Sequence, residues 1–261
     1  MKYGFIGCGN MGGALATALA NSTKDILICN RTTAQKVADA LGCQAGTAVE
    51  VAEGCERIFI GVKPHMVRDA LAPLQEALRR RKPIIISMAA GLTIDTLTEY
   101  AGTSLPILRI MPNTPVSVGC GMIGYACNNL VADDQLRDFL LDMAPAGQWE
   151  QVEEPLMDTV AALSGSGPAY TYYFAEALCQ GAVQCGMDPQ QALAYTIKTL
   201  EGAVALLKLG DKSPEQLRRE VCSPGGSTLA GLKALDDGHF TESVVSCIQA
   251  AHDRNKELAK M

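Results

Sequence analysis

The sequence predicts a doubly wound α/β domain followed by an all-helical domain. Short runs of β-branched residues alternate with helical stretches through the first half of the chain, and this strand signal stops after about Glu154. The length of 261 residues also exceeds what a single core usually organises. We therefore expect two domains, with residues 1–154 in the first and residues 155–261 in the second.

Each strand of the first domain is predicted from a short apolar run of the kind that a buried strand requires. The predicted strands are 2–6, 25–29, 57–62, 83–88 and 107–111, with weaker ones at 120–126 and 148–152. Helices are predicted between them, near 10–20, 33–41, 64–79 and 132–143. The last helix has one buried face at helical spacing, formed by Leu136, Phe139, Leu140 and Met143. This alternation predicts a mostly parallel sheet.

The second domain carries helix signals only. Asp188 and Pro189 are typical of an N-cap followed by proline at the first helical position, and Gly210 is placed to end that helix. Ser213 is predicted to start the next helix, with Gln216 completing a capping box.

Composition excludes several classes of function. The net charge of −6 argues against general binding to nucleic acid or to a membrane surface. Glycines interrupt the uncharged stretch 3–23, and no later segment has 18 uninterrupted apolar residues, so neither a signal peptide nor a membrane span is predicted. The ten scattered cysteines and three histidines show no metal-ligand spacing, so we expect no metal. Reduced thiols predict a cytoplasmic protein.

The first strand and the first helix are joined by a glycine-rich segment, Gly7-Cys8-Gly9-Asn10-Met11-Gly12. Gly7 permits the tight turn, Gly9 lets a pyrophosphate approach the backbone, and Gly12 lets helix and strand pack. The phosphates would then meet free N–H groups at the positive end of a helix. A segment of this composition can be only a turn, but its place between the first strand and helix favours dinucleotide binding.

The end of the second strand selects between the dinucleotides. A dinucleotide fold that takes NAD usually has an acid here for the ribose diol, but this strand ends in Asn30, Arg31 and Thr32. Arg31 can pair with a 2′-phosphate, to which Asn30 and Thr32 would donate hydrogen bonds. The alternative is that Arg31 is an ordinary surface arginine. We predict NADPH as the cofactor, with NADH used less well.

Three later segments follow strands, at the edge of the sheet where ligands bind in such folds: 62–64, 87–91 and 109–115. Each alone is typical of an ordinary turn, but together they outline a crevice. In the helical half, 164–168 and 223–228 are predicted as unusual loops. The second leads directly into a helix, whose free N–H groups would suit a carboxylate, although a plain helix–helix turn remains open.

These segments together resemble pyrroline-5-carboxylate reductases over essentially the full length. The motifs that carry the resemblance are GCGNMG, VKP, SMAAG, RIMPNTP, ALSGSGPAY and VCSPGGSTLAGLKALDDG. The resemblance implies a Rossmann-like domain followed by a helical domain for dimerisation and substrate binding, in a homodimer, with larger rings in some members. It also implies a small-molecule substrate: 1-pyrroline-5-carboxylate, reduced to L-proline by direct hydride transfer to the cyclic imine in the last step of proline biosynthesis.

The resemblance also implies which residues form the site. Cofactor contacts are expected from Ile6, Gly7, Cys8, Gly9, Asn10, Met11, Gly12, Asn30, Arg31, Thr32, Val62, Lys63, Pro64, Met88, Ala89, Ala90 and Asn113. Substrate contacts are expected from Gly226, Ser227 and Thr228, with Glu154 and Glu220 approaching. Glu220 and Ala48 depart from the family, because an amide is common at the first position and an asparagine at the second.

Two other functions fit part of the pattern. A β-hydroxyacid dehydrogenase shares the two-domain plan, but it uses a lysine in the first long helix of its second domain, and no lysine occurs here between Lys82 and Lys198. A regulator that senses NADPH without turning it over would not need the 223–228 segment.

Overall fold

An eight-stranded sheet forms the centre of the N-terminal half. Its strands are β1 Tyr3–Ile6, β2 Ile26–Cys29, β3 Gln44–Ala45, β4 Arg57–Ile60, β5 Ile84–Ser87, β6 Ile107–Met111, β7 Gly121–Cys127 and β8 Gly147–Gln151. The spatial order is β3-β2-β1-β4-β5-β6-β7-β8, and only the β6–β7 pair is antiparallel. The predicted mostly parallel sheet is therefore confirmed, and the carboxyl ends of β1, β2, β4, β5 and β6 meet at one edge.

The structure, a computed structural model, describes residues 1–258. These residues form two compact units, one of residues 1–168 with 250–258 and one of residues 169–249. The helices of the first unit are α1 Asn10–Leu19, α2 Ala34–Leu41, α3 Ala48–Gly54, α4 Val67–Leu71, α5 Gln75–Arg81, α6 Ile94–Ala101, α7 Asp133–Asp142 and α8 Met157–Val160. The domain boundary that we expect at residue 154 stays a prediction.

The helix predicted over 64–79 is wrong as one element. The segment contains two short 3₁₀ turns: Pro64–Met66 precedes α4, and Ala72–Leu74 separates α4 from α5. Pro73 explains the second break, because proline has no N–H to donate and clashes with the preceding helical turn.

Apolar layers cover both faces of the sheet. On one face Phe5 stacks on Phe59, with ring centroids 4.3 Å apart, and Phe139 of α7 packs against the same pair. The predicted face of α7 is confirmed, since Phe139 and Met143 are buried and Leu136 and Leu140 pack against this core. The two layers hold the strand ends, and the turns that follow them, in fixed positions.

The second unit is helical. The helices that contain its residues are α9 Gly167–Gln184, α10 Pro189–Lys208, α11 Pro214–Glu220, α12 Ser227–Asp237 and α13 Phe240–Leu258. The predicted caps are confirmed: Asp188 accepts hydrogen bonds from two N–H groups of α10, and Ser213 and Gln216 form a capping box. Within residues 169–249, Ala192 and Thr196 alone are buried.

Candidate active site

The glycine-rich turn between β1 and α1 is shaped by close backbone contacts. Gly7 has φ +91°, and a Cβ there would lie 2.7 Å from the Val62 nitrogen. A Cβ on Gly12 would lie 2.7 Å from the Gly7 carbonyl oxygen, whereas a Cβ on Gly9 would meet nothing within 4 Å. Helix α1 starts without a side-chain cap or an acid in its first turn. The turn therefore leaves an open side next to a positive helix end, which fits a phosphate group.

Gly61, directly after β4, is a further glycine that packs against this turn. The glycine-rich motif did not identify it. Its Cβ would collide with the Gly7 carbonyl oxygen, and its N–H donates to the Ile6 carbonyl at 2.9 Å. The sequence signal was a glycine directly after a buried strand. Gly61 therefore lets the end of β4 approach the turn.

A cavity of about 600 Å³ opens beside the turn. Five of the predicted cofactor residues line it: Cys8, Gly9, Asn10, Asn30 and Thr32. Arg31 is exposed and is not among the described lining residues. Lys36, in the first turn of α2, lines the cavity and was missed by sequence reasoning. The sequence feature that could have identified Lys36 is a cationic residue in the first turn of the helix that follows β2.

Cys8 and Ile6, two of the predicted cofactor residues, have buried side chains, so only their backbone is available for a contact. The two residues have 4% and 5% of their surface exposed. Burial, with a smaller effect of the nearby Cys43, raises the pKa of the Cys8 thiol to about 11. Cys8 is therefore a packed, protonated thiol at neutral pH and is unsuited to act as a nucleophile.

The ends of β4 and β5 place the next predicted segments side by side. Val62, Lys63 and Pro64 follow β4, and Met88, Ala89 and Ala90 follow β5. The Met88 N–H donates to the Ile60 carbonyl at 3.4 Å, and the Ala89 N–H donates to the buried Ser87 hydroxyl at 3.3 Å. The adjacent parallel strands therefore present both segments at the same edge of the sheet.

Asn113 uses its amide to hold protein segments together. Its Nδ2 donates to the Ser164 carbonyl at 3.2 Å and the Ser164 hydroxyl at 3.3 Å, and its Oδ1 accepts the Met122 N–H at 3.0 Å. The loop expected over 164–168 is wrong, because Ala161–Gly165 is a π-helical turn that leads into α9. Single π turns inside helices are often found at functional sites.

Arg109 is a buried cation that the sequence placed only within a longer motif. Its side chain is 4% exposed, its Nη1 lies 3.3 Å from Oε1 of Glu154, and its Nη2 lies 3.5 Å from Oδ1 of Asp158. The same Oε1 accepts the N–H of Ile94, the first residue of α6, at 2.7 Å. Glu154, which the resemblance assigns to the substrate, is thus bonded to Arg109 and to the start of α6.

The second unit brings three predicted substrate residues together at the start of α12. Gly225 has φ +71°, a conformation that glycine adopts without strain, and a Cβ on Gly226 would displace the Ser223 hydroxyl. Gly226 is the N-cap, no side chain caps the helix, and Thr228 is half-buried in its first turn. Glu220, at the end of α11, instead accepts a hydrogen bond from Lys212 at 2.7 Å.

Both halves of the chain match known families. Residues 154–258 match the family described as pyrroline-5-carboxylate reductase dimerisation, and residues 2–91 match NADP oxidoreductase coenzyme F420-dependent. Pyrroline-5-carboxylate reductase 3 of Danio rerio is 35% identical over 99% of this chain and 91% of that protein. The chain belongs to the pyrroline-5-carboxylate reductase family. The Escherichia coli (strain K12) reductase is 33% identical over 99% of this chain and 98% of that protein.

Solved pyrroline-5-carboxylate reductases share this fold along their whole length. The Streptococcus pyogenes enzyme matches with a TM-score of 0.91 and 31% identity, covering 98% of both chains. The Plasmodium falciparum enzyme, solved with NADP bound, matches with a TM-score of 0.89 and 30% identity, covering 99% of this chain and 98% of that one. The predicted family and the Rossmann-like plus helical architecture are therefore confirmed.

Three further observations concern the helices, the cysteines and Ala48. Among the described residues, no helix has both the length and the apolar character that crossing a membrane requires. All ten cysteines are free thiols, but only Cys8 and Cys55 are buried. Ala48, which the resemblance marks as a departure from the family, begins α3 directly after the Thr47 N-cap.

Proposed function

We propose that this chain reduces 1-pyrroline-5-carboxylate to L-proline with NADPH. The observation that carries the proposal is the open, uncapped turn Gly7–Gly12 beside a cavity of about 600 Å³, in a member of the pyrroline-5-carboxylate reductase family. The NADP in the P. falciparum relative supports the choice of cofactor. The nicotinamide group, when bound, supplies the hydride.

The cofactor would extend along the edge of the sheet from β2 to β5. The N–H groups at the start of α1 would bind the pyrophosphate, and Asn30, Arg31 and Thr32 would surround the 2′-phosphate. Lys36, which lines the cavity, adds a second cation near the end of β2. The segments 62–64 and 88–90 would lie against the nicotinamide, where small side chains leave room for a flat ring. NADH would bind less well, because no acid follows β2 to hold the ribose diol.

The substrate carboxylate would bind at the start of α12. The N–H groups of this uncapped helix terminus favour an anion, and the turn before it contains Gly225 at φ +71°. A protonated C=N bond is already electrophilic, so the protein mainly has to align the donor and acceptor carbons. We assign the Thr228 hydroxyl to the ring nitrogen. Glu220 would reach the substrate only if its ion pair with Lys212 opened.

The working form would be a homodimer, and a larger ring built from dimers belongs to the same proposal. The helical unit supports it, because residues 169–249 bury only Ala192 and Thr196 while Tyr173 and Val245 are 77% and 58% exposed. Helices with this much apolar surface need a partner surface to cover it. A cytoplasmic location also remains part of the proposal, in keeping with the free thiols.

Steady-state oxidation of NADPH by the purified protein tests the function. We expect oxidation that depends on added pyrroline-5-carboxylate and yields one L-proline for each NADPH consumed. A β-hydroxyacid with NADP serves as the control and should give no turnover. Absence of substrate-dependent oxidation, in protein that binds NADPH, would overturn the proposed reaction and leave a sensor of the cofactor.

A further inference from the structure

The cluster of Arg109, Glu154 and Asp158 lies inside the first unit, next to the segments proposed for the nicotinamide. Arg109 stands on β6, and its guanidinium is ion-paired with both carboxylates at 3.3 and 3.5 Å. Its Nε has no hydrogen-bond partner in the described residues. Burial of a guanidinium is unfavourable unless it is paired, so Arg109 depends on Glu154 and Asp158 as its partners.

Glu154 connects this cluster to α6. Its Oε1, already paired with Arg109, accepts the Ile94 N–H at 2.7 Å. Ile94 is the first residue of α6, and the Thr93 hydroxyl caps the same turn by accepting the Thr96 N–H at 3.1 Å. The N–H of a first helical residue has no partner inside its own helix, so Glu154 supplies the missing acceptor.

The loop of residues 88–93 runs from β5 to α6 and is therefore fixed at both ends. Its first residues are held by the bonds from Met88 to Ile60 and from Ala89 to Ser87. Its last residues are held through the contact between Ile94 and Glu154. Between these ends, Gly91 has φ +78°, a conformation that glycine adopts without strain.

We propose that Glu154 is a positioning residue: held by Arg109, it fixes the start of α6 and so holds the 88–93 loop against the nicotinamide. This rests on the proposed function, since that function places the nicotinamide against residues 88–90. Glu154 then acts on the reaction through the loop, without touching the substrate. Because a shift of about 1 Å in a reacting group can cost on the order of a hundredfold in rate, such a contact matters for turnover.

Three variants test this role: Glu154→Ala, Glu154→Gln and Glu153→Ala. Glu154→Ala removes the acceptor for the Ile94 N–H, Glu154→Gln keeps an oxygen at that place, and Glu153→Ala removes the exposed neighbouring carboxylate as a control. For Glu154→Ala we expect kcat to fall roughly ten- to a hundredfold with an unchanged KM for pyrroline-5-carboxylate. Glu154→Gln should recover most of kcat, and Glu153→Ala should behave as the unaltered protein.

Binding of two ligands separates positioning from a merely structural role. The dissociation constant of NADPH should rise several-fold in Glu154→Ala, but that of 2′-phospho-ADP-ribose, which lacks the nicotinamide, should not change. A raised KM for pyrroline-5-carboxylate with unchanged kcat and NADPH binding would instead make Glu154 a substrate contact. A lower Tm with unaltered kinetics and binding would also overturn the proposal. The two ligands give their answer even if the unaltered protein fails to reduce pyrroline-5-carboxylate, which would refute the reaction alone.

Discussion

Two cationic side chains, one directly after β2 and one in α2, lie near the end of β2. Arg31 follows the strand directly and is exposed, whereas Lys36 reaches the cavity from the first turn of α2. A 2′-phosphate carries a charge that either side chain can bind, and only Arg31 offers the planar fork that bonds two oxygens at once. We therefore expect the selectivity between NADPH and NADH to depend on these two residues.

Replacing Arg31 with aspartate should weaken NADPH binding by about 1–3 kcal/mol, because a charged hydrogen bond is lost and a repulsive carboxylate is added. NADH, which has no 2′-phosphate, should bind as before or slightly better. Fluorescence titration with both cofactors measures the two constants, and Lys36→Gln titrated in parallel reports the share of the second cation. An unchanged ratio of the two affinities in Arg31→Asp would remove Arg31 from the site.

Replacing Thr228 with alanine should lower kcat/KM about ten- to a hundredfold, the cost of one hydrogen bond to a charged group. Thr228→Ser keeps the hydroxyl and should retain most of the activity. NADPH affinity and Tm should stay close to those of the unaltered protein in both variants. If Thr228 instead only supports the first turn of α12, the alanine variant will show a lower Tm with normal kcat/KM per folded molecule.

The sequence predicted some residues of the candidate site and missed others for steric reasons. Gly7 and Gly12 could be predicted because tight turns and close packing leave a recognisable spacing. Gly61 was missed, because the atom that a Cβ there would meet, the Gly7 carbonyl oxygen, is distant in sequence. Arg109 was visible only as part of a motif, since its two carboxylate partners come from the segment after β8.

At the scale of elements, regular patterns were predicted well and interruptions were not. Strands with apolar runs and helices with strong caps were located from local signals, as in α10 with Asp188. The short helices α3 and α6 were missed, although Thr47 with Glu50 caps the first and Thr93 caps the second. Pro73 was the available signal for the break between α4 and α5.

A cluster of charged and polar side chains connects the start of β1 with α7. The Tyr3 hydroxyl donates to Asp142 at 2.7 Å, the Lys2 ammonium lies 2.6 Å from the same carboxylate, and the buried Arg57 lies over the Tyr3 ring. Partial burial alone would raise the pKa of Asp142, but the hydrogen bonds from Lys2 and Tyr3, with the charges of Lys2 and Arg57, outweigh it and lower the pKa. The ionised carboxylate is thus favoured in the folded protein.

Asp142→Asn should therefore lower the free energy of unfolding at neutral pH. It should also make that free energy fall less steeply as the pH is lowered. A carboxyl with a lowered folded pKa contributes its stability above the unfolded pKa of about 3.9, and the contribution disappears as pH falls through the folded pKa. Urea unfolding at several pH values between about 7 and 3 measures this difference. Equal pH dependence in the variant and the unaltered protein would contradict a role of Asp142 in acid sensitivity.

At the scale of the molecule, the two units differ in how they bury apolar side chains. The first unit packs two layers against its sheet, and Phe5, Phe59 and Phe139 are almost fully buried. The helical unit leaves Tyr172, Tyr173 and many aliphatic side chains exposed. Sequence periodicity identified its helices but could not say where their apolar faces pack, because a buried stripe and an interface stripe look alike.

The purified protein should accordingly be a dimer, or a multiple of dimers, at micromolar concentration. Val245→Asp, which places a charge on an apolar side chain that is 58% exposed, should shift the mass towards the monomer. The matched substitution Val118→Asp, at a residue of the first unit that is 74% exposed, should leave the mass unchanged. Light scattering after size exclusion measures all three proteins, and a monomer mass for the unaltered chain would refute the prediction.

The π turn at Ala161–Gly165 absorbs one extra residue within a single turn. Such a turn holds one residue more than an α turn, so deleting a single residue there would restore regular helical hydrogen bonding. The residues that flank the turn would keep nearly their present phase around the axis, because the residue removed is the one that the π turn adds. The cost would fall on Ser164, whose carbonyl and hydroxyl bond Asn113 and Met122. The irregular turn thus confines the effect of a deletion to this local contact.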